Sequence, residues 1–180
     1  MTKHIQPLNI VGSSLELIGK TFKNKIGLAY TVLRHLNNSE YLIVFHNTGY
    51  ITSAFRSGMR TGYVRDHYEP YRYGVGYIGR GNNSNTDTLT KKAYNTWNNM
   101  ITRCYSEKEL SKSPSYKGCY VISEWHCFQN FLTWFRNAYI EGFHIDKDIL
   151  SPEDRKIYSS DTCEFIPQNI NKLFTAARVN

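Results

Sequence analysis

The sequence predicts an α+β protein in which a small β-barrel or curled antiparallel sheet comes first and a helical domain follows. Three observations predict it. The apolar period changes from two to about 3.6 partway along the chain. A stretch rich in Gly, Asn, Ser and Thr, "GRGNNSNTDTLTKK" at 79–92, separates the two textures. The 180 residues, 41% of them apolar, suffice for one ordinary domain or two small ones. The expected organisation is a basic β-rich module at 1–81, a linker at 82–92 and an α+β domain at 93–180. Small polar residues in that linker bury too little surface to offset the entropy of ordering.

Within the first module, "LAYTVLRHL", "YLIVF" and "GYITSAF" are short β-branched or aromatic runs. They are separated by "NNSE" and "HNTG", which supply turn residues for hairpins. Three or more strands are expected, with "GYVRD" at 62–66 as a further one. The opening "SSLELIGK" reads equally as a short helix or a first strand, and the Gly- and Pro-bearing "YEPYRYGVGYIGRG" as an ordered tail over the surface.

After the linker, "KKAYNTWNNMITRCY" places Tyr94, Trp97, Met100, Ile101, Cys104 and Tyr105 on one helical face. "SPSYKGCYVISEW" is turn and strand material. Ser123 is then the expected cap of a second helix whose Trp125, Phe128, Phe131, Leu132 and Phe135 share a face. These aromatic stripes are packing surfaces. The chain is expected to close with strand "FHIDKDIL", loop "SPEDRKIYSSD", strand "TCEFI" and a helix opened by Pro167, with Ile170, Leu173, Phe174 and Ala177 on its buried side.

Charge narrows the function classes. Residues 1–81 hold ten Lys or Arg against four acids, whereas 82–180 hold twelve against eleven. A polyanion is the simplest partner for that excess, because each contacted phosphate releases counterions; solubility alone is the bland alternative. Arg56, Arg60, Arg65, Arg72 and Arg80, interleaved with Tyr63, Tyr68, Tyr71, Tyr73 and Tyr77, are the candidate contacts, with Lys91, Lys92 and Arg103 extending them. Arginine forks suit phosphate and tyrosine rings stack on bases. The four cysteines are irregularly spaced with no C-x-x-C pair, so buried reduced thiols are expected. No stretch approaches the roughly 20 apolar residues of a membrane helix, and "MTKHIQPLNIVGSS" lacks the order of a secretory signal. A cytoplasmic protein without a membrane partner is expected.

The series Trp97, Met100, "RCY" at 103–105, "YKG" at 116–118, Trp125, Phe128, Phe131, Asp146 and "CEF" at 163–165 resembles the small HNH-like homing endonucleases of tailed phages. The likeness spans 94–174. The first module is more loosely similar to a segment placed ahead of such domains, through "NTGY" at 47–50 and "YGVGYIG" at 73–79. The resemblance implies a ββα-metal-like fold, phage origin, a setting in the infected host cell, and duplex DNA as partner. It also implies a divalent metal, Mg²⁺ or Mn²⁺, if the chain cuts, and no cofactor otherwise.

An HNH site needs a base histidine, an adjacent metal-holding acid and a helix ligand that completes the metal shell. By the resemblance the acid falls on Asp146, the helix ligand on Asn171, the base on Lys147 and the middle Asn on Thr162. Lysine, with an ordinary pKa near ~10.4, is a poor base at neutral pH. The pattern is therefore degenerate. A substitute set is His144 as base with Asp146 and Asp148 as metal acids, in phase along one strand. The opposing reading makes them solvated groups on an outer face while Ile145 and Ile149 pack inward. Three functions follow: a DNA-binding protein that cuts, a nuclease-derived body that docks on a host defence or replication protein, and an RNA-binding component. Oligomeric state is open.

Overall fold

The computed structural model describes residues 14–81, 87–150 and 156–170. The chain is α+β and divides into two compact units between Glu69 and Pro70, each with its own core.

In the first unit a 3₁₀ turn at Ser14–Leu17 settles the ambiguous opening as helical. Four strands follow: β1 (Thr21–Lys23), β2 (Ala29–Asn37), β3 (Glu40–Phe45) and β4 (Ile51–Phe55). They pair antiparallel in sequence order, so β1 and β4 are edges and the sheet is an open meander, not the closed barrel that was one expectation. Alternation carries it. Tyr30, Val32, Tyr41, Ile43 and Phe45 point to one side and are buried with Leu17, Met59 and Val64. A short helix, α1 (Arg56–Thr61), ends at Gly62, whose φ of 72° closes the turn. "GYVRD" forms no strand. Asn24 Nδ2 donates to the Val64 carbonyl at 2.9 Å, and Val64 inserts into the core instead.

The second unit starts earlier than the boundary expected at 81. Tyr77 forms a parallel bridge with Cys127, and this ties 70–81 to the second core. Within the stretch expected as a linker, 82–86 lie outside the described residues. Helix α2 (Thr88–Tyr105) already occupies 88–92, because the Asp87 carboxylate accepts the Thr90 N–H at 2.6 Å and nucleates it there. Its buried face is Ala93, Trp97, Met100, Ile101 and Cys104.

After Ser106, which caps α3 (Glu107–Lys112), come β5 (Tyr120–Val121) and α4 (Phe128–Ala138). Ser123 does not cap α4. It opens a 3₁₀ turn at Ser123–His126, and the first α4 amides are met instead by the carbonyls of Tyr77 (2.9 Å) and Ile78 (3.2 Å). Phe128, Phe131, Leu132 and Phe135 face the core with Trp97 and Trp125.

The chain then enters β6 (Phe143–Asp146), β7 (Ile157–Tyr158) and β8 (Glu164–Pro167). β6 and β8 form the expected antiparallel pair, while β7 pairs parallel with β5 inside what reads in sequence as a loop. Pro167 ends β8 and residues 168–170 turn helical. Asn171 and the remainder of the anticipated helix, with Leu173, Phe174 and Ala177, lie outside the described residues. Among the described residues no helix is long and apolar enough to cross a membrane.

Candidate nucleic-acid interface and the β6 turn

The β6–β8 register sets His144 opposite Ile166 and Asp146 opposite Glu164. His144 is exposed and Ile145 packs on the core. The strand stops at Asp146 because its Oδ1 accepts the N–H groups of Asp148 (2.8 Å) and Ile149 (3.0 Å), folding the chain into a bend over 147–150. Asp148 therefore leaves the strand, and its expected alternation with His144 and Asp146 is lost.

Lys147 is the buried residue of this turn, 8% exposed. Its ammonium is ion-paired with the Asp148 carboxylate and stands 5.9 Å from the centroid of the Tyr158 ring. Thr162, at the middle position of the resembled motif, braces the turn between β7 and β8. Its hydroxyl donates to the Ile157 carbonyl (2.8 Å) and accepts the Ser159 N–H (3.2 Å). Around this turn lie buried thiols, of which burial pushes Cys104 and Cys163 up to about 12.

The described part of the anticipated metal set is engaged within the protein, and Asn171 lies outside the described residues. One Asp146 oxygen is committed to two backbone donors, Asp148 already faces a cation, and no three His, Cys, Asp or Glu side chains among the described residues come together as a metal-holding set.

Cations are disposed differently in the first unit. The β1–β2 loop is bolted to the segment after α1: Lys25 N–H donates to the Gly62 carbonyl (3.1 Å), and Asn24 Oδ1 accepts the amides of Ile26 (3.1 Å) and Leu28 (2.9 Å). A Cβ on Gly62 would lie 3.1 Å from Lys25 N, so glycine permits this approach. The bolt sets Lys25 against Tyr63, and Arg60 and Arg65, which flank Tyr63 in the chain, are exposed as both of these are. Lys25 Nζ sits 3.6 Å from the Tyr63 ring centroid, and its hydrogen bond holds the Tyr63 hydroxyl below its ordinary pKa. Lys25, Arg60 and Arg65 enter no ion pair among the described residues. Lys25 escapes a sequence reading because its partners are distant in the chain; the turn residues flanking it are the sole signal. Arg56 is half-buried at the start of α1.

In the second unit Lys92 is bound to Glu141 (2.5 Å) and Tyr139 (3.1 Å), and Arg103 packs 5.6 Å from the Tyr116 ring centroid. Lys91 is exposed on α2, as is Arg80, which stands between Gly79 and Gly81. Both of those glycines lie against the start of α4: a Cβ on either would collide with Cys127 or Gln129. Arg72 Nη2 donates to the Tyr94 hydroxyl (3.3 Å), which also bonds Tyr71 (3.0 Å).

No protein-family model matches the chain, and no curated protein or solved structure matches it.

Proposed function

We propose that the chain binds DNA through the surface of Lys25, Arg60, Tyr63 and Arg65, and that its β6–β8 pair, whose sequence resembles the motif of phage HNH nucleases, grips without hydrolysing. The carrying observation is that these three cations stay exposed, outside any ion pair among the described residues, with Lys25 over the ring of Tyr63, a residue 66% exposed. Such a set is suited to phosphates, with tyrosine against sugar or base. At the base position of the resembled motif, Lys147 argues against cutting: an ion-paired ammonium has no lone pair with which to take a proton from water.

The test is duplex-DNA binding by anisotropy across salt concentrations. In a Lys25→Ala/Arg60→Ala/Arg65→Ala variant the slope of log K against log salt should fall by about 0.9 for each phosphate no longer neutralised. An unchanged slope removes the assignment. In parallel, supercoiled plasmid with Mg²⁺ or Mn²⁺ should remain unnicked; nicking that Asp146→Ala abolishes would restore the nuclease reading.

A second reading, docking on a host protein, is favoured by the edge strand β4. Its "ITSAF" has no charged residue, and Ile51 and Phe55 are 53% and 58% exposed. Weak, salt-insensitive DNA binding would bring that reading forward.

A further inference from the structure

The segment 71–76 carries a cation that no carboxylate among its partners neutralises. It is a tight hairpin in which the N–H groups of Val75 and Gly76 both reach the Arg72 carbonyl at 2.9 Å. Its central residues, Tyr73 and Gly74, have φ of 51° and 69°. That turn favours Asn, Asp or Gly at both positions, so a tyrosine at the first is held there against its backbone preference.

The hairpin lies hard on α2. A Cβ on Gly76 would stand 2.9 Å from the Trp97 ring. Arg72 is thereby aimed: besides its bond to Tyr94, its guanidinium carbon lies 5.4 Å from the Tyr71 ring centroid. Its Nε is buried with no acceptor, and the groups acting on it are Tyr94 and Tyr71. The rings of Tyr71 and Tyr73 are 46% and 45% exposed. Thr102 and Ser106 hold the Tyr73 hydroxyl, lowering its pKa, and the Glu109 carboxylate acts on the same end. An anion therefore belongs on the Arg72 side and a neutral base on the ring.

We propose that this hairpin is a subsite for one unpaired nucleotide, with the phosphate on the Arg72 guanidinium and the base stacked on Tyr73. The inference rests on the nucleic-acid reading above and adds to it a preference for unpaired strands, since a base inside a duplex has no free face to offer.

The experiment is anisotropy with 5′-labelled oligo(dT) and with a duplex of equal length, at one salt concentration, on the full chain. Arg72→Gln and Tyr73→Asn are compared with the parent; asparagine tolerates positive φ, so the second variant keeps the turn while removing the ring. Each should weaken oligo(dT) about tenfold and leave the duplex within about twofold. Unchanged oligo(dT) affinity in both variants overturns the subsite, as does equal weakening for oligo(dT) and duplex, which would make Arg72 one more backbone cation. Binding of neither probe by the parent would instead overturn the nucleic-acid reading together with the subsite.

Discussion

The two units differ in which of their cations are committed to carboxylates. In the second, Lys92 is tied to Glu141, Arg136 to Asp87 and Lys147 to Asp148, so these cations serve the fold. In the first, Lys25 is held by a backbone hydrogen bond to Gly62, between Arg60 and Arg65 in the chain, and none of these three cations meets a carboxylate among the described residues. The number of basic residues in a module is thus a poor guide to its partner; which of them remain uncommitted after folding is a better one. Arg72, in the second unit, meets tyrosine hydroxyls and a ring in place of a carboxylate, and the nucleotide subsite is assigned there for that reason.

The largest effect is expected where the second unit's rings pack. Trp97 is fully buried, and its Nε1–H donates to the Trp125 carbonyl at 2.7 Å. Trp97→Ala leaves a cavity and orphans that carbonyl, and should cost the second unit about 3–5 kcal/mol. All the tryptophans lie in this unit, so fluorescence of Trp125 and Trp134 during urea unfolding reads it alone. A loss below about 1 kcal/mol would show that ring packing is not what holds α2 to α4.

Next comes the lysine of the β6 turn. Lys147→Ala strips the ion pair from Asp148, whose side chain is 30% exposed, and should cost about 2 kcal/mol after allowance for solvent around that carboxylate. Lys147→Met, which keeps the stem over Tyr158, should cost less. Replacing Lys25, Arg60 and Arg65 together should change stability by less than about 1 kcal/mol while altering DNA binding. Urea midpoints for the three proteins check the contrast directly. A triple variant as destabilised as Lys147→Ala would erase the difference between structural and outward-facing cations.

Much of this architecture was legible in the residues. The 3.6 period marked α2 and α4, alternation marked β2 and β3, and the β6–β8 pair was read from "FHIDKDIL" and "TCEFI". What escaped was short or set by distant partners. "RSGMRT" makes six helical residues despite its glycine because Met59 buries on the sheet, and two-residue β7 exists only through its pairing with β5. The site was less legible than the fold. Asp146 reads as a ligand by spacing, but its carboxylate folds its own turn and so breaks the strand phase that would have carried Asp148. Thr162 reads as a lost motif residue and in space is a brace. In both cases the side chain is engaged by hydrogen bonds to nearby backbone, which spacing alone does not reveal.

The smallest effect at neutral pH concerns Tyr30 in the first unit's core. It is fully buried, its hydroxyl has no partner among the described residues, and burial pushes its pKa up to about 12. A phenol in the unfolded chain ionises near ~10, so folding binds its proton more tightly. The neutral form is present in both states below ~10 and nothing is lost there; as pH rises from ~10 toward about 12 the unfolded state alone gains charge, and stability falls by on the order of 2–3 kcal/mol. Tyr30→Phe deletes an unsatisfied hydroxyl without changing the ring. It should leave stability at pH 7 equal or higher by up to about 1 kcal/mol, and should flatten the alkaline fall of this unit. Amide exchange of β2 and β3 across that range isolates the first unit from the thiols and Tyr158 of the second, which burial raises in the same direction. A variant less stable than the parent at pH 7 would mean that the Tyr30 hydroxyl has a partner in solution, as the Trp97 Nε1–H has in the second core.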